Sequence, residues 1–346
     1  VLAMIGGVLF YAVLYPLPYL NQSPEEQKIT VVDLDKSELS RKFILMANAS
    51  QQLDVIEQAE SVNQAKQQFL DNRVTGFLVI PYGFSTDLQL GQAPTVAYAG
   101  DASYFLVYGT IIEGLMKAGG TLAAEYRIAR MTIDGTPIAA AMDTFQPFKS
   151  NYVPVFNRNM GYVEYVVPAV FVLILQQTLL MAVGVRQKAA TALENSGSHL
   201  IARFSIFLLS ELVLACFYFG YVFNHYHISR FSTAIDVIIL LVPFISSVII
   251  LGMLLARWLP TTESLLLLVL FSSMPIVFSA GFIWPTELIP SLITDLMHLL
   301  PSGFAINGFL KLNQQGAGLH SVLMNLTGLY GLCFLYATCL FISKRK

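Results

Sequence analysis

The sequence predicts a mainly α-helical, polytopic membrane protein with six transmembrane helices, a small α/β domain inserted between helices 1 and 2, and a re-entrant helical hairpin between helices 5 and 6. Three observations predict it. Of 346 residues, 55% are apolar and 12% charged, about half the charged share of a soluble domain. The charge is unevenly placed, with 26 of the 42 charged residues lying between positions 21 and 158. Outside that stretch six windows are apolar over about 20 residues, the length that crosses a hydrocarbon core of about 30 Å. The formal net charge of -2 lacks the basic excess of a nucleic-acid binder, so no nucleic acid is expected among the partners.

The first window is 1–20, and because Val1 already lies inside it, the native N-terminus is expected further upstream. The remaining windows are 162–185, 204–223, 233–256, 263–283 and 321–342. Lys and Arg near span ends are retained in the cytoplasm. Arg186, Lys188 and Arg203 flank the second-to-third connection, Arg257 lies in the fourth-to-fifth, and Lys344, Arg345 and Lys346 follow the last span. Apart from the long stretch between the first two spans, only Arg230 and Lys311 lie in the opposite connections. Both termini are therefore expected in the cytoplasm, with residues 21–160 outside it and residues 161–346 carrying helices 2–6. A seventh apolar window, 102–124, holds Glu113 and Lys117 at i, i+4, a solvated helical pair, and a span there would invert the basic connections after it.

Between the first two spans, strand and helix signals alternate. The β-branched run 29–34 reads as a strand, 37–49 as a helix, 53–56 as extended, and 61–72 as a helix with Ser61 as N-cap. The run 76–80 is a buried strand stopped by Pro81. A short helix at 85–90, a Gly91 stop and a strand at 95–99 complete a small α/β domain, and helices over 103–131 lead the chain back towards the membrane. Asp33, Asp35 and Asp101 read as turn formers or caps rather than a metal cluster. His225 and His227 flank Tyr226 in a polar loop, and two such residues alone make no metal site. Cys216, Cys333 and Cys339 all fall in apolar runs, where a thiol acts as a small hydrophobe. No metal, cofactor or catalytic set is expected.

Within the spans, Glu211 is the most expensive residue, because a mid-span charge costs about 2.5–3.5 kcal/mol on insertion scales. A structural hydrogen bond to a neighbouring helix is favoured over a proton or substrate role. Gln176, Gln177 and Asn325 admit the same two readings, with helix packing favoured. Glu164 and Asp236 are expected near span ends in reach of water, and Gly328 and Gly331 as packing positions. Pro285, Pro290 and Pro301 cut the region after the fifth span into pieces too short to cross a bilayer. Residues 289–300 then form a short helix with Asp295 and His298 on its wetter face. This hairpin, 284–318, reads either as an outer gate carried by these five residues or as a surface helix.

Three segments resemble the ABC-2 type permeases. The first is the run from Ala65 to Asp101, in which a helix leads into a strand ending Ile80-Pro81. A Gly83-Phe84-Ser85 turn, a Leu-rich helix and a Gly91-x-x-Pro94 stop follow. The second is Phe156-Asn157 followed by Val167-Pro168 at the lead-in to the second span. The third runs from Ser279-Ala-Gly-Phe-Ile-Trp-Pro285 through Ile289-Pro290 to Leu300-Pro301. The resemblance implies the membrane subunit of an ABC exporter in a bacterial inner membrane, moving an amphipathic compound such as a drug or lipid. It implies a second permease copy or paralogue, a separate ABC ATPase subunit that binds the ATP, a periplasmic adaptor and membrane lipids as partners. Consistently, no G-x-x-x-x-G-K-[ST] phosphate loop is present, and the chain is not expected to be an enzyme. The coupling segment, 186–203, departs from the family's acidic Gly-Thr pattern, and Arg186 and Glu194 are the candidate contacts to the ATPase. The alternative is a non-transporting sensor or scaffold whose outer domain binds a ligand or adaptor. An intramembrane enzyme lacks the paired His, Asp or Ser it would need.

Overall fold

The computed structural model describes residues 1–20, 24–145, 153, 155–157, 161–191 and 197–343. The chain forms two compact units, Val1–Gln22 with Pro154–Lys346, and Ser23–Val153. Helix α1 (Leu2–Leu14) opens the first unit.

The second unit is built on a four-stranded sheet ordered β2-β1-β3-β4. In chain order it runs β1 (Gln27–Asp33), α2 (Glu38–Asn48), β2 (Leu53–Gln58), α3 (Val62–Leu70), β3 (Gly76–Ile80), α4 (Phe84–Leu90), β4 (Ala97–Gly100), α5 (Phe105–Ile133) and α6 (Ile138–Phe145). β1 pairs in parallel with β2 and β3, and β4 runs antiparallel to β3. Alternation along β1 sends Ile29 and Val31 to one face, where Phe43 of α2 and Ile111 and Leu122 of α5 cover them. Val32 faces the other side with Ala65 of α3. With helices on both faces, Ile29, Thr30, Val31 and Val32 of this central strand are buried in succession. Ser37 and Ser61 cap α2 and α3 by accepting from Ser40 N and Gln64 N. The expected helices over 103–131 are one 29-residue helix, α5, whose Glu113–Lys117 pair is exposed at 2.5 Å.

The first unit resumes with α7 (Val166–Lys188) and α8 (Gly197–Cys216), which continues through a π-helical segment at Phe217–Val222 into α9 (Phe223–His225). α10 (Ala234–Trp258) and α11 (Thr262–Ser279) follow, then the short α12 (Ser291–Met297) and α13 (Pro301–Phe309), a second π-helical segment at Leu310–Gln314, and α14 (Leu323–Ile342). Six helical stretches among the described residues are long and apolar enough to cross a membrane. The third begins at Gly197 rather than near position 204, so its helix takes in the last part of the expected coupling segment. α7 and α10 form the centre, buried over most of their length, while α1, α8, α11 and α14 surround them and expose apolar faces. Met4, Val8 and Ala12, one helical face of α1, pack into the shared core.

Candidate functional site

Two of the expected intramembrane polar residues, Gln176 and Asn325, meet at the α12–α13 hairpin. Gln176 on α7 accepts from Ser302 N at 2.7 Å, satisfying one of the backbone donors that the start of α13 leaves unpaired. Asn325 on α14 donates to Phe304 O at 2.8 Å, and Tyr336 on the same helix donates to Leu299 O. Gln177 donates to Val269 O, Ser272 Oγ and Ser273 Oγ of α11, at 3.2, 3.2 and 3.0 Å. Each of these glutamines and Asn325 therefore joins two helices.

The hairpin itself is amphipathic. Pro285 and Pro290 are exposed, flanking a single 3-10 turn, and Pro301 is buried at the first position of α13, where a missing N–H is harmless. Asp295 and His298 are exposed, and the His298 ring lies 5.0 Å from that of Phe304. Leu292, Ile293, Leu296 and Leu299 are exposed as well, so α12 has apolar surface on most sides and only Met297 is buried. Between the hairpin and the end of α11 lies a cavity of about 400 Å³ lined by Ser279, Thr286, Glu287, Thr294, His298 and Asn307. His298 is the one expected gate residue on its wall. Glu287 and Asn307 carry no signal in the sequence that separates them from ordinary loop and helix residues.

Glu211 lies on the buried stripe of α8 with Arg203, Phe207, Leu214 and Ala215. It is 1% exposed, and neither carboxyl oxygen has a hydrogen-bond partner among the described residues. The expected bond to a neighbouring helix is thus not formed. Two turns on, Tyr218 makes that link instead, donating to Val8 O of α1 at 2.8 Å and stacking on Phe171 at 4.0 Å.

Glu164 also departs from expectation. It is buried, not bathed by water, and accepts from Ser229 N at 3.1 Å and Ser229 Oγ at 3.2 Å. Gln314 donates to Glu164 O and Ser229 O at 2.9 and 3.1 Å, and Ser232 donates to Asn313 Oδ1. Asn313 and Gln314 are buried although Lys311 and Gln315 flank them in a polar run, so no signal in the sequence separates this knot from an ordinary loop.

At the opposite end, Lys188 donates to Leu259 O and Pro260 O, tying α7 to the end of α10. Arg257 donates to Leu340 O at 2.8 Å. Arg186 is exposed on the last turn of α7; Glu194 lies outside the described residues. In the second unit Asp33 accepts from Asp35 N, Lys36 N and Ser40 Oγ, Asp35 from Ser85 N, and Asp101 from Ser103 N. All three act as turn and cap acceptors, and no cluster of potential metal ligands occurs among the described residues.

Residues 1–342 match the sequence model of a family described as ABC-2 family transporter protein. The chain belongs to that family. The linearmycin resistance permease protein LnrN of Bacillus subtilis (strain 168) is 22% identical over 364 residues, covering 94% of this chain and 89% of the relative. A crystallised domain of a Thermotoga maritima MSB8 protein described as an ABC type-2 transporter is 19% identical, with a TM-score of 0.27. It covers 36% of this chain and 81% of its own. Family membership and six apolar helices make this ABC-2 transporter protein a multi-pass membrane protein.

Proposed function

We propose that this ABC-2 protein is the permease subunit of an exporter that moves an amphipathic compound across a bacterial inner membrane, driven by ATP hydrolysed on a separate subunit. The family supports a transport role, and the relative's resistance function points to export of a toxic amphiphile. The observation that carries the reading is the hairpin: two helices too short to span, pinned to α7 and α14, beside a polar cavity at one end of an apolar bundle. Non-spanning backbone is tolerated at membrane depth only where protein or a wet cavity covers it, and a re-entrant plug at the outer end of a pathway meets that condition. Pro285, Pro290, Asp295, His298 and Pro301 belong to this gate. In this reading both termini lie in the cytoplasm and residues 21–160 outside, and a second copy or paralogue completes the pathway. Glu211, buried and unpartnered, is a candidate for a protonated or substrate-facing carboxyl. Arg186 and Glu194 face the ATPase, and an adaptor docks on the outer domain.

The sensor or scaffold reading rests on a cleft of about 240 Å³ beneath α5, lined by Phe43, Leu88, Tyr126 and Arg127 among others. Against it, the crevice at the carboxyl ends of β1 and β3, where open α/β sheets bind ligands, is bridged by Asp35 to Ser85. The deciding experiment is copurification of the full-length chain with its ATPase and hydrolysis in lipid nanodiscs. Association, with hydrolysis lowered severalfold by Arg186→Ala and Glu194→Ala, is the expected result. A chain that binds no ATPase under mild extraction is not an exporter subunit.

A further inference from the structure

A second cavity, of about 200 Å³, opens between α8 and α10. Its floor is apolar, formed by Ala215, Phe219, Val237 and Leu241, all buried. Its mouth lies between Cys216 and Ile238, both exposed on faces of membrane-crossing helices. One end is polar. There Arg230 lines the cavity and donates one guanidinium hydrogen bond to Phe219 O at 3.2 Å, and a guanidinium carries five donors. Beside it Asn313 is 2% exposed; its Oδ1 accepts from Ser232, while its Nδ2 has no partner among the described residues. A buried amide donor left unpaired is unfavourable, so an acceptor entering this corner of the cavity would satisfy it.

The same corner is where both π-helical segments, 217–222 and 310–314, come together, with Phe219 stacked on Phe309 at 4.9 Å. Such segments recur at functional sites, and here one supplies the carbonyl that holds Arg230 and the other supplies Asn313. From Ala234 to Leu241 the apolar wall of α10 runs inward for about 10 Å, at 1.5 Å per residue.

We infer that this cleft binds one anionic phospholipid of the surrounding bilayer, with its phosphate on Arg230 and Asn313 and the start of an acyl chain leaving between Cys216 and Ile238. Three features fix the chemistry. The cation and the unpaired amide donor ask for an oxyanion, and Arg matches a phosphate bidentately. The mouth opens on helix faces that meet hydrocarbon, which excludes a freely water-soluble anion. The cavity is smaller than the roughly 300–1,000 Å³ that engulf a drug-sized ligand, so it takes a headgroup and first methylenes while the chains remain in the membrane. The site lies within the transmembrane unit and does not depend on which compound is exported.

Native mass spectrometry of the full-length chain, delipidated and then titrated with phosphatidylglycerol or phosphatidylcholine, tests this. The wild type is expected to retain one phosphatidylglycerol about tenfold more tightly than phosphatidylcholine, the effect of one charge-assisted hydrogen bond. Arg230→Gln should remove the preference. Ile238→Trp, which blocks the mouth and leaves the polar groups in place, should weaken retention of phosphatidylglycerol without lowering the melting temperature. Equal retention of the two lipids, or retention indifferent to both variants, overturns the inference. Displacement of the lipid by millimolar inorganic phosphate assigns the site to a soluble anion, and a tightly held non-lipid mass assigns it to cargo; either result overturns it as well.

Discussion

A single buried carboxylate shows how far burial can be decided by a partner remote in sequence. Glu164 sits at the lead-in to α7, but Ser229 and Gln314 close over it, and its side chain supplies both acceptors for Ser229. Glu164→Ala is expected to destabilise the protein by about 1–3 kcal/mol, because it strands the Ser229 N–H in a closed site. Glu164→Gln, which keeps one acceptor, should lose less; thermal unfolding in detergent at constant lipid content measures both. Asp35 makes a prediction about pH. Burial alone would raise its carboxyl, but hydrogen bonds from Ser37 and Ser85 and from the backbone of Ser85 and Gly83 outweigh it and hold the group below the usual carboxylate range. A carboxyl depressed on folding contributes stability above its unfolded value, near 3.9, that is lost as pH falls through the lower folded value. Asp35→Asn should therefore narrow its stability difference from wild type only below about pH 4, the two melting curves converging in acid. A difference that stays constant from pH 7 to pH 3 would sink this assignment. The group is largely solvated, so the effect is small.

Elements differ in how plainly the chain announces them. The strands and helices of the small domain follow periods of two and 3.6 with serine caps and a proline stop, and six spans follow from apolar length; these are local properties, and the structure has all of them. The π-helical segments 217–222 and 310–314 have no period of their own in the sequence, and the Phe219–Phe309 stack joins the first of them to the end of α13. The hairpin was legible as broken by its prolines, but not its anchoring, which depends on Gln176 lying 126 residues from Ser302. Glu211 is legible as costly, and only packing shows that none of the described residues offers it a donor. The closest approach within the hairpin is at Gly303, where a Cβ would fall 2.2 Å from the Met297 carbonyl oxygen. A backbone oxygen cannot swing aside as a side chain can, so Gly303→Ala must pry α12 from α13. A loss of about 1–3 kcal/mol, the usual penalty of overpacking, is expected in thermal unfolding, along with weakened transport. Gly331→Ala on α14, where a Cβ meets nothing within 4 Å, should change neither.

At the scale of the whole molecule, the proposed orientation of the bundle rests on the distribution of charge, and it makes a prediction. Lys188 and Arg257 hold carbonyls at the same end of the bundle, joining α7 to the α10–α11 turn and α10 to α14, and Arg186 lies on that end too. The opposite end carries Arg230, Lys311 and the knot of Ser229, Asn313 and Gln314 around Glu164. Positive side chains in short connections set orientation because they resist translocation, which is why the proposed orientation puts the Lys188–Arg257 end in the cytoplasm. On the proposed orientation residues 21–160 lie outside. With Cys216, Cys333 and Cys339 replaced by Ala, Glu60→Cys in the α/β unit should react with a membrane-impermeant maleimide in cells whose outer barrier alone has been opened. Pro260→Cys, exposed in the α10–α11 turn, should stay unlabelled until the inner membrane is breached. The reverse pattern would place the α/β unit in the cytoplasm. The polar cavity beside α12 would then face the ATPase side, and the hairpin could not be an outer gate.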